Sequence, residues 1–289
     1  MKKLYIVIIA LSFMLTACGN QSHSTIIVVG SNSVQPYAEI LLEAFTLIYP
    51  EIEIDIQGGG STAGITSVEN GIADIGMISR ELAENERHLI PIEIAKDGLA
   101  IIIHPNNPVS DVTLEQIRGI YKGTITKWKE VGGVDREIHV ITREEGSGTR
   151  KAFEDLVMHK EYIYPRAIVQ SSNGAIKQLV AGDKNAIGFI SLGLVDQTVK
   201  ALRLDGIEAS DENIINGKYG LFRPFLYVTK DTVADNAQVF IEFTLSSEGQ
   251  QILVMEGLIG CGDLKALQTE LEDDNVLSEE KNTQTSLGR

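Results

Sequence analysis

Short apolar runs alternate along the chain with stretches whose apolar residues recur every three or four positions. Ile26-Ile27-Val28-Val29 is a run of the first kind, while Tyr37, Ile40, Leu41, Ala44, Phe45 and Ile48 fall on one face of a helix over residues 34–49. Ser33 is the natural N-cap of that helix, Pro36 suits its first turn and Pro50 ends it. Ile52, Ile54 and Ile56 then alternate with charged residues, a helix over 61–70 stops at Gly71, and residues 73–79 read as a buried strand ending in a polar turn. An apolar strand over 99–104 is closed by Pro105. Beyond it the pattern predicts helices over 113–120 and 173–181, strands over 138–141, 167–170 and 186–190, and an apolar strand over 222–228. Helices over 235–245 and 248–256 follow, and from Thr269 the chain turns acidic and polar without periodicity, which reads as a disordered tail over 269–289. Strand and helix alternating in this way predict an α/β fold with a mainly parallel sheet.

Three of the strand-to-helix joints share one chemistry. Gly30-Ser31-Asn32-Ser33, Gly58-Gly59-Gly60-Ser61-Thr62-Ala63-Gly64 and Arg143-Glu144-Glu145-Gly146-Ser147-Gly148-Thr149-Arg150 each follow a strand and open a helix. The first turn of a helix carries N–H groups without intrahelical acceptors and a partial positive charge, and small residues let an anion come close. Hydroxyls at Ser33, Ser61, Ser147 and Thr149 add donors, and Arg143 adds a planar fork suited to a tetrahedral oxyanion. Three such joints predict one oxyanion held by several helix N-termini. Two of them precede Ile103 and the third lies between Ile103 and Phe222. They can meet only if the chain forms two lobes with a central ligand cleft, crossed near residues 99–105 and 222–228. The expected division is 25–103 plus 223–268 for one lobe and 104–222 for the other.

A formal charge of −15 argues against nucleic acid, whose phosphates need a basic footprint. At the N-terminus, Met1-Lys2-Lys3, an apolar stretch and Leu15-Thr16-Ala17-Cys18 form a leader too short to span a bilayer comfortably. Residues 1–17 read as a signal peptide and 18–24 as a polar tether. Cys18 and Cys261 are the only cysteines; Cys261 is a free thiol if Cys18 is modified, and is expected to be a small buried residue. No CxxC, zinc-type spacing or HExxH is present, so neither a metal site nor a cofactor is expected. A Gly-x-Ser-x-Gly elbow is also missing, and Gly58-x-Gly60-x-x-Ala63 is only a loose dinucleotide fingerprint, which leaves an enzyme, such as a phosphatase, the weaker reading. Trp128 reads as a packed loop aromatic, and the charged run 84–88 as a solvated helix face. Arg80 and Arg150 either assist the anion or pair with nearby acids at the surface.

The ordered set of motifs resembles a known family. Gly30-Ser31-Asn32-Ser33-Val34-Gln35-Pro36, Gly58 to Gly64, Asp74-Ile75-Gly76-Met77-Ile78-Ser79-Arg80, Gly123 to Gly133, Arg143 to Thr149 and Asn185 to Ile190 together resemble the periplasmic phosphate-binding proteins, the solute receptors of phosphate ABC transporters. The resemblance implies a two-lobed, hinged type II binding-protein fold. It implies phosphate ligands at Ser33, Val34, Ser61, Ser79, Arg143, Ser147, Gly148 and Thr149, a permease partner, and a monomer. The acid that holds the family's arginine falls on Glu145, and Ser79 stands where many members carry an aspartate. Leu15 to Cys18 resembles a bacterial lipoprotein signal, with Cys18 as the lipid-bearing residue on the outer face of the cell membrane. A receptor for another tetrahedral oxyanion, or a sensor, remains the alternative on the same fold.

Overall fold

The computed structural model describes residues 25–159 and 161–262. The expected signal peptide, Cys18, the tether and the tail lie outside these residues. In chain order the first elements are β1 (Ile26–Gly30), α1 (Gln35–Ile48), β2 (Ile54–Gln57), α2 (Ser61–Glu69), β3 (Ile75–Ile78) and β4 (Ile90–Ile103). They continue with β5 (Asp111–Val112), α3 (Leu114–Lys122), β6 (His139–Arg143), α4 (Gly148–Phe153), β7 (Ile168–Gln170), α5 (Asn173–Gly182) and β8 (Ala186–Ser191). The chain closes with β9 (Lys200–Ala201), β10 (Arg203–Leu204), α6 (Asp211–Ile215), β11 (Phe222–Thr229), α7 (Asp235–Leu245), α8 (Ser247–Met255) and β12 (Ile259–Gly260).

The main sheet runs β2-β1-β3-β11-β4-β8-β6-β7, with β9 and β12 also on β4. It is mixed, a correction to the mainly parallel expectation. β1 pairs parallel with β2 and β3, and β6 with β7 and β8, but β11 runs antiparallel to β3 and β4, and β4 antiparallel to β8. The reversal follows from chain path: β4 and β11 carry the chain in opposite directions across the middle of the molecule.

β4 belongs to two cores. Ile94 and Ala95 pack with Leu41, Phe45, Phe225, Tyr227 and Phe240, whereas Leu99, Ile101 and Ile103 pack with Tyr121, Trp128, Phe153 and Phe189. A further cluster covers the other face of each half, around Ile65 and Val228 in the first and Ile102 and Ile176 in the second. Both faces of the central strands are thus buried, which explains their nearly unbroken apolar composition. Leu99 to Ile103 pair with β8, while residues up to Gly98 pair with β11, so the change of partner falls at Gly98/Leu99 rather than after Ile103.

Several local expectations are corrected. Ser33 does not cap α1; Val34 occupies that position without a side-chain bond. The 84–88 run forms one turn of 3-10 helix over Glu84–Glu86, and Glu86 is buried against Arg80. Burial acts to raise the Glu86 pKa, but the Arg80 hydrogen bonds hold it below the usual carboxylate range. Cys261 is only half-buried; its thiol donates to the Glu93 carbonyl, and burial together with the Glu93 charge pushes it up to about 12. Trp128 is buried as expected, with Nε1 donating to the Asn185 carbonyl at 2.9 Å.

Candidate functional site

β1 lies between β2 and β3, and β6 between β7 and β8. At such reversals the loops leaving the carboxyl ends of neighbouring strands part to opposite faces and leave a crevice. Here the two crevices face each other. Ser31 and Ser33 follow β1, Ser61 opens α2 and Ser79 follows β3; from the other half come Arg143 at the end of β6, Gly148 and Thr149 opening α4, and Asn173 opening α5. All eight are buried.

Contacts to main-chain carbonyls join the halves at the rim of the cleft. The Thr62 amide donates to the Gly146 carbonyl at 3.1 Å, and Asn32 Nδ2 to the Ser171 carbonyl at 2.9 Å. Glycine is needed at two places along this seam. Gly60 has φ 90°, and a Cβ there would sit 2.8 Å from the Gly146 carbonyl oxygen. A Cβ on Gly148 would overlap Ser61 Oγ and come within 2.5 Å of Ser79 Oγ.

On the side of the second half, Ser33 Oγ lies 2.7 Å from Thr149 Oγ1. Arg143 Nη1 faces Ser33 Oγ, Thr149 Oγ1 and Asn173 Oδ1, each at 3.4 Å. The rest of the guanidinium is held from behind: Nε and Nη2 donate to the two carboxylate oxygens of Glu144 at 2.8 and 2.9 Å, and Nη2 also to the Ser171 carbonyl at 3.0 Å. The arginine's acid is therefore Glu144 and not Glu145: the Glu144 amide continues the pairing of β6 with β7 by donating to the Gln170 carbonyl at 3.2 Å, beside Arg143, whereas Glu145 is exposed. On the first half, Ser31 Oγ donates to Ser79 Oγ at 2.8 Å, the Ser79 amide to Ser61 Oγ at 3.0 Å and the Ser33 amide to Ser31 Oγ at 3.1 Å.

The structure thus brings together Ser33, Ser61, Ser79, Arg143, Gly148 and Thr149. The Ser147 hydroxyl caps α4 by accepting from the Arg150 amide at 3.3 Å and keeps its own proton to donate, while the Val34 amide donates to the Ser31 carbonyl at 3.1 Å. Asn173 and Ser31 complete the cluster and were missed: Ser31 sits inside a recognised turn, and Asn173 is a single polar residue at a helix start. Arg80 and Arg150 border the cleft beside Gly146, but Glu86 and Glu154 pair with them at 2.6 and 2.8 Å. Arg143 is consequently the cation that faces the hydroxyls, and the cluster offers a tetrahedral oxyanion many hydrogen-bond donors and one full charge. No group of three metal-ligating side chains occurs among the described residues, and none of their helices is long and apolar enough to cross a membrane.

A family model described as a PBP superfamily domain matches residues 16–248. The chain is 30% identical over 276 residues to the phosphate-binding protein PstS of Borreliella burgdorferi, covering 90% of this chain and 99% of that protein. It is 28% identical over 288 residues to the phosphate-binding protein PstS of Bacillus subtilis, covering 91% and 95%. Among solved structures, it is similar to a protein from Clostridium perfringens described as a phosphate ABC transporter substrate-binding protein with bound phosphate, with a TM-score of 0.80 and 45% identity over 83% of this chain and 100% of that one. An ABC-type phosphate transport receptor from Vibrio cholerae gives a TM-score of 0.72 and 42% identity over 81% and 99%.

Proposed function

The chain belongs to the PBP superfamily and, within it, to the phosphate-binding proteins, and from that footing we propose that it is the extracytoplasmic, lipid-anchored receptor of a phosphate ABC transporter. The observation that carries the reading is Arg143 Nη1, free of Glu144 and aimed at hydroxyls from both halves. Ser33, Ser61, Ser79, Arg143 and Thr149 donate to inorganic phosphate from side chains, and Gly148 allows the two halves to approach around it. The lobes, 25–98 with 222–262 and 99–221, close on the ligand by bending at the crossing strands β4 and β11. The closed monomer then delivers phosphate to a membrane permease; no reaction is performed on the ligand and no cofactor is needed. Cys18, with its lipid, keeps the receptor at the outer face of the membrane.

The test is a set of binding isotherms with phosphate, sulfate and arsenate on a soluble form beginning at Gly19. Phosphate binding tightest supports the assignment; sulfate binding tighter than phosphate replaces it with another oxyanion. One observation favours that second reading. The hydroxyl at Ser79 bonds to the hydroxyl of Ser31 rather than presenting an acceptor-only group, so the Ser31–Ser61–Ser79 set carries no carboxylate to reject a fully ionised anion.

A further inference from the structure

Beside the ligand cluster lies a buried ion pair that the binding role does not itself call for. Asp97 in β4 and Arg223 in β11 are directly opposite each other across the strand pair. Both are buried, and Arg223 Nη2 and Nε donate to Asp97 Oδ2 at 2.8 and 3.0 Å. Ser191, the last residue of β8, lies 2.9 Å from the same oxygen. Asn173 Nδ2 is 3.0 Å from Ser191 Oγ and 3.2 Å from Ser33 Oγ. An unbroken chain of hydrogen bonds therefore runs from the strand crossing to the anion cluster.

Its direction follows from donor counting. A guanidinium can only donate, so Asp97 Oδ2 carries no proton and can only accept. Ser191 must then spend its one proton on Asp97, and its oxygen is left to accept from Asn173 Nδ2 and from Arg223 Nη2 at 3.2 Å. Asn173 is thereby oriented with its NH₂ toward Ser191 and Ser33 and its Oδ1 toward Arg143 Nη1. Ser33 Oγ receives Asn173 Nδ2 and Arg143 Nη1, so its own proton can only be donated, to Thr149 Oγ1 at 2.7 Å in the protein alone and to an anion oxygen that takes that place. The serines of the first half have no such anchor. Ser61 accepts a backbone amide and keeps a proton that can turn, Ser31 accepts a backbone amide and donates only to the Ser79 hydroxyl, and Ser79 Oγ meets Ser61 Oγ at 3.4 Å with either atom able to donate.

We infer that Asp97, Ser191 and Asn173 form a polarity relay that commits Ser33 to donating, so that the protonated oxygen of a monohydrogen oxyanion is placed on the Ser31–Ser61–Ser79 side. The relay rests on the phosphate reading for its ligand, but its geometry exists in the protein alone. Asp97, Arg223 and Ser191 act as positioning residues, since none of them lies in the cluster that would touch the anion.

Ser191→Ala removes the link while keeping the Asp97–Arg223 pair. It is expected to weaken phosphate binding about tenfold, the size of one buried hydrogen bond. The loss should be less than about twofold when Asn173→Ala is already present, because coupled residues are not additive, and Ser191→Thr, which keeps the hydroxyl, should recover most of it. An unchanged affinity in Ser191→Ala, or the same loss with and without Asn173→Ala, overturns the relay. The wild-type protein gives a readout independent of any variant and of the ligand. The Asn173 side-chain amide protons, observed by NMR, should exchange slowly with solvent in the protein without phosphate; rapid exchange overturns the relay too. Wild-type protein that keeps those protons protected but binds no phosphate sinks the phosphate assignment and leaves the relay standing.

Discussion

Glu144 grips Arg143 with both carboxylate oxygens, at 2.8 and 2.9 Å, and leaves one guanidinium nitrogen facing the hydroxyl cluster. A charge-assisted donor held this way should carry much of the affinity for an anion. Removing one partner of a buried charge pair costs on the order of 2–5 kcal/mol. Arg143→Ala should weaken phosphate binding by at least about thirtyfold in calorimetry. Glu144→Gln should weaken it measurably and Glu145→Gln should not; the reverse order would return the supporting role to Glu145.

Gly148 marks the closest approach of the halves. Gly148→Ala places a methyl group against Ser61 and Ser79 Oγ, and overpacking of this kind typically costs 1–3 kcal/mol. The overlap exists only when the halves meet, so the loss should fall on binding, at roughly tenfold, while the melting temperature without phosphate stays nearly unchanged. A large fall in that temperature with intact affinity would place the strain within one half.

Ser79 bears on selectivity. Phosphate at neutral pH keeps a proton and sulfate has none. A carboxylate accepts from the first and repels the second, whereas a serine hydroxyl can turn to suit either. Ser79→Asp should therefore raise the phosphate-to-sulfate affinity ratio in competition calorimetry across about pH 6 to 8. A ratio that does not rise removes Ser79 as the discriminating position.

Phosphate should compact the protein and stabilise it. The Thr62–Gly146 and Asn32–Ser171 contacts join the halves across the cleft, and opening the cleft would break them. Solution scattering should show a smaller radius of gyration with phosphate, and the melting temperature should rise by linkage. Tight binding at constant radius would confine the donors to a single rigid arrangement.

Anchoring is tested by mass spectrometry of the mature protein from its native membrane. Cys18 follows Leu15-Thr16-Ala17 after the apolar leader, and should be the first residue and carry lipid. Cys18→Ser should release or misprocess the protein without weakening phosphate binding by a soluble form. An unmodified Cys18 would return the leader to an ordinary secretory signal.

The elements with repeated patterns could be read before any coordinates: the Ile/Val runs, the helical face from Tyr37 to Ile48, and the three Gly/Ser turns. Single polar residues could not. Arg223 sits in an apolar run and Asp97 just before one, and nothing local reveals that the two are opposite each other in neighbouring strands. Glu144 and Glu145 are adjacent, and nothing in the sequence tells which of the two carboxylates bonds Arg143. The antiparallel strands were likewise invisible, because strand direction is a property of the long connection between β4 and β11, not of either strand.

The position of β11 between β3 and β4 has a bearing on how the protein is made. A ribosome delivers β1 to β4 early, but the strand that must lie between the last two arrives only after the whole second half. Until then the first sheet lacks its centre, and the sequence-distant pairing that completes it cannot begin. The first half therefore cannot close its own sheet without the last third of the chain.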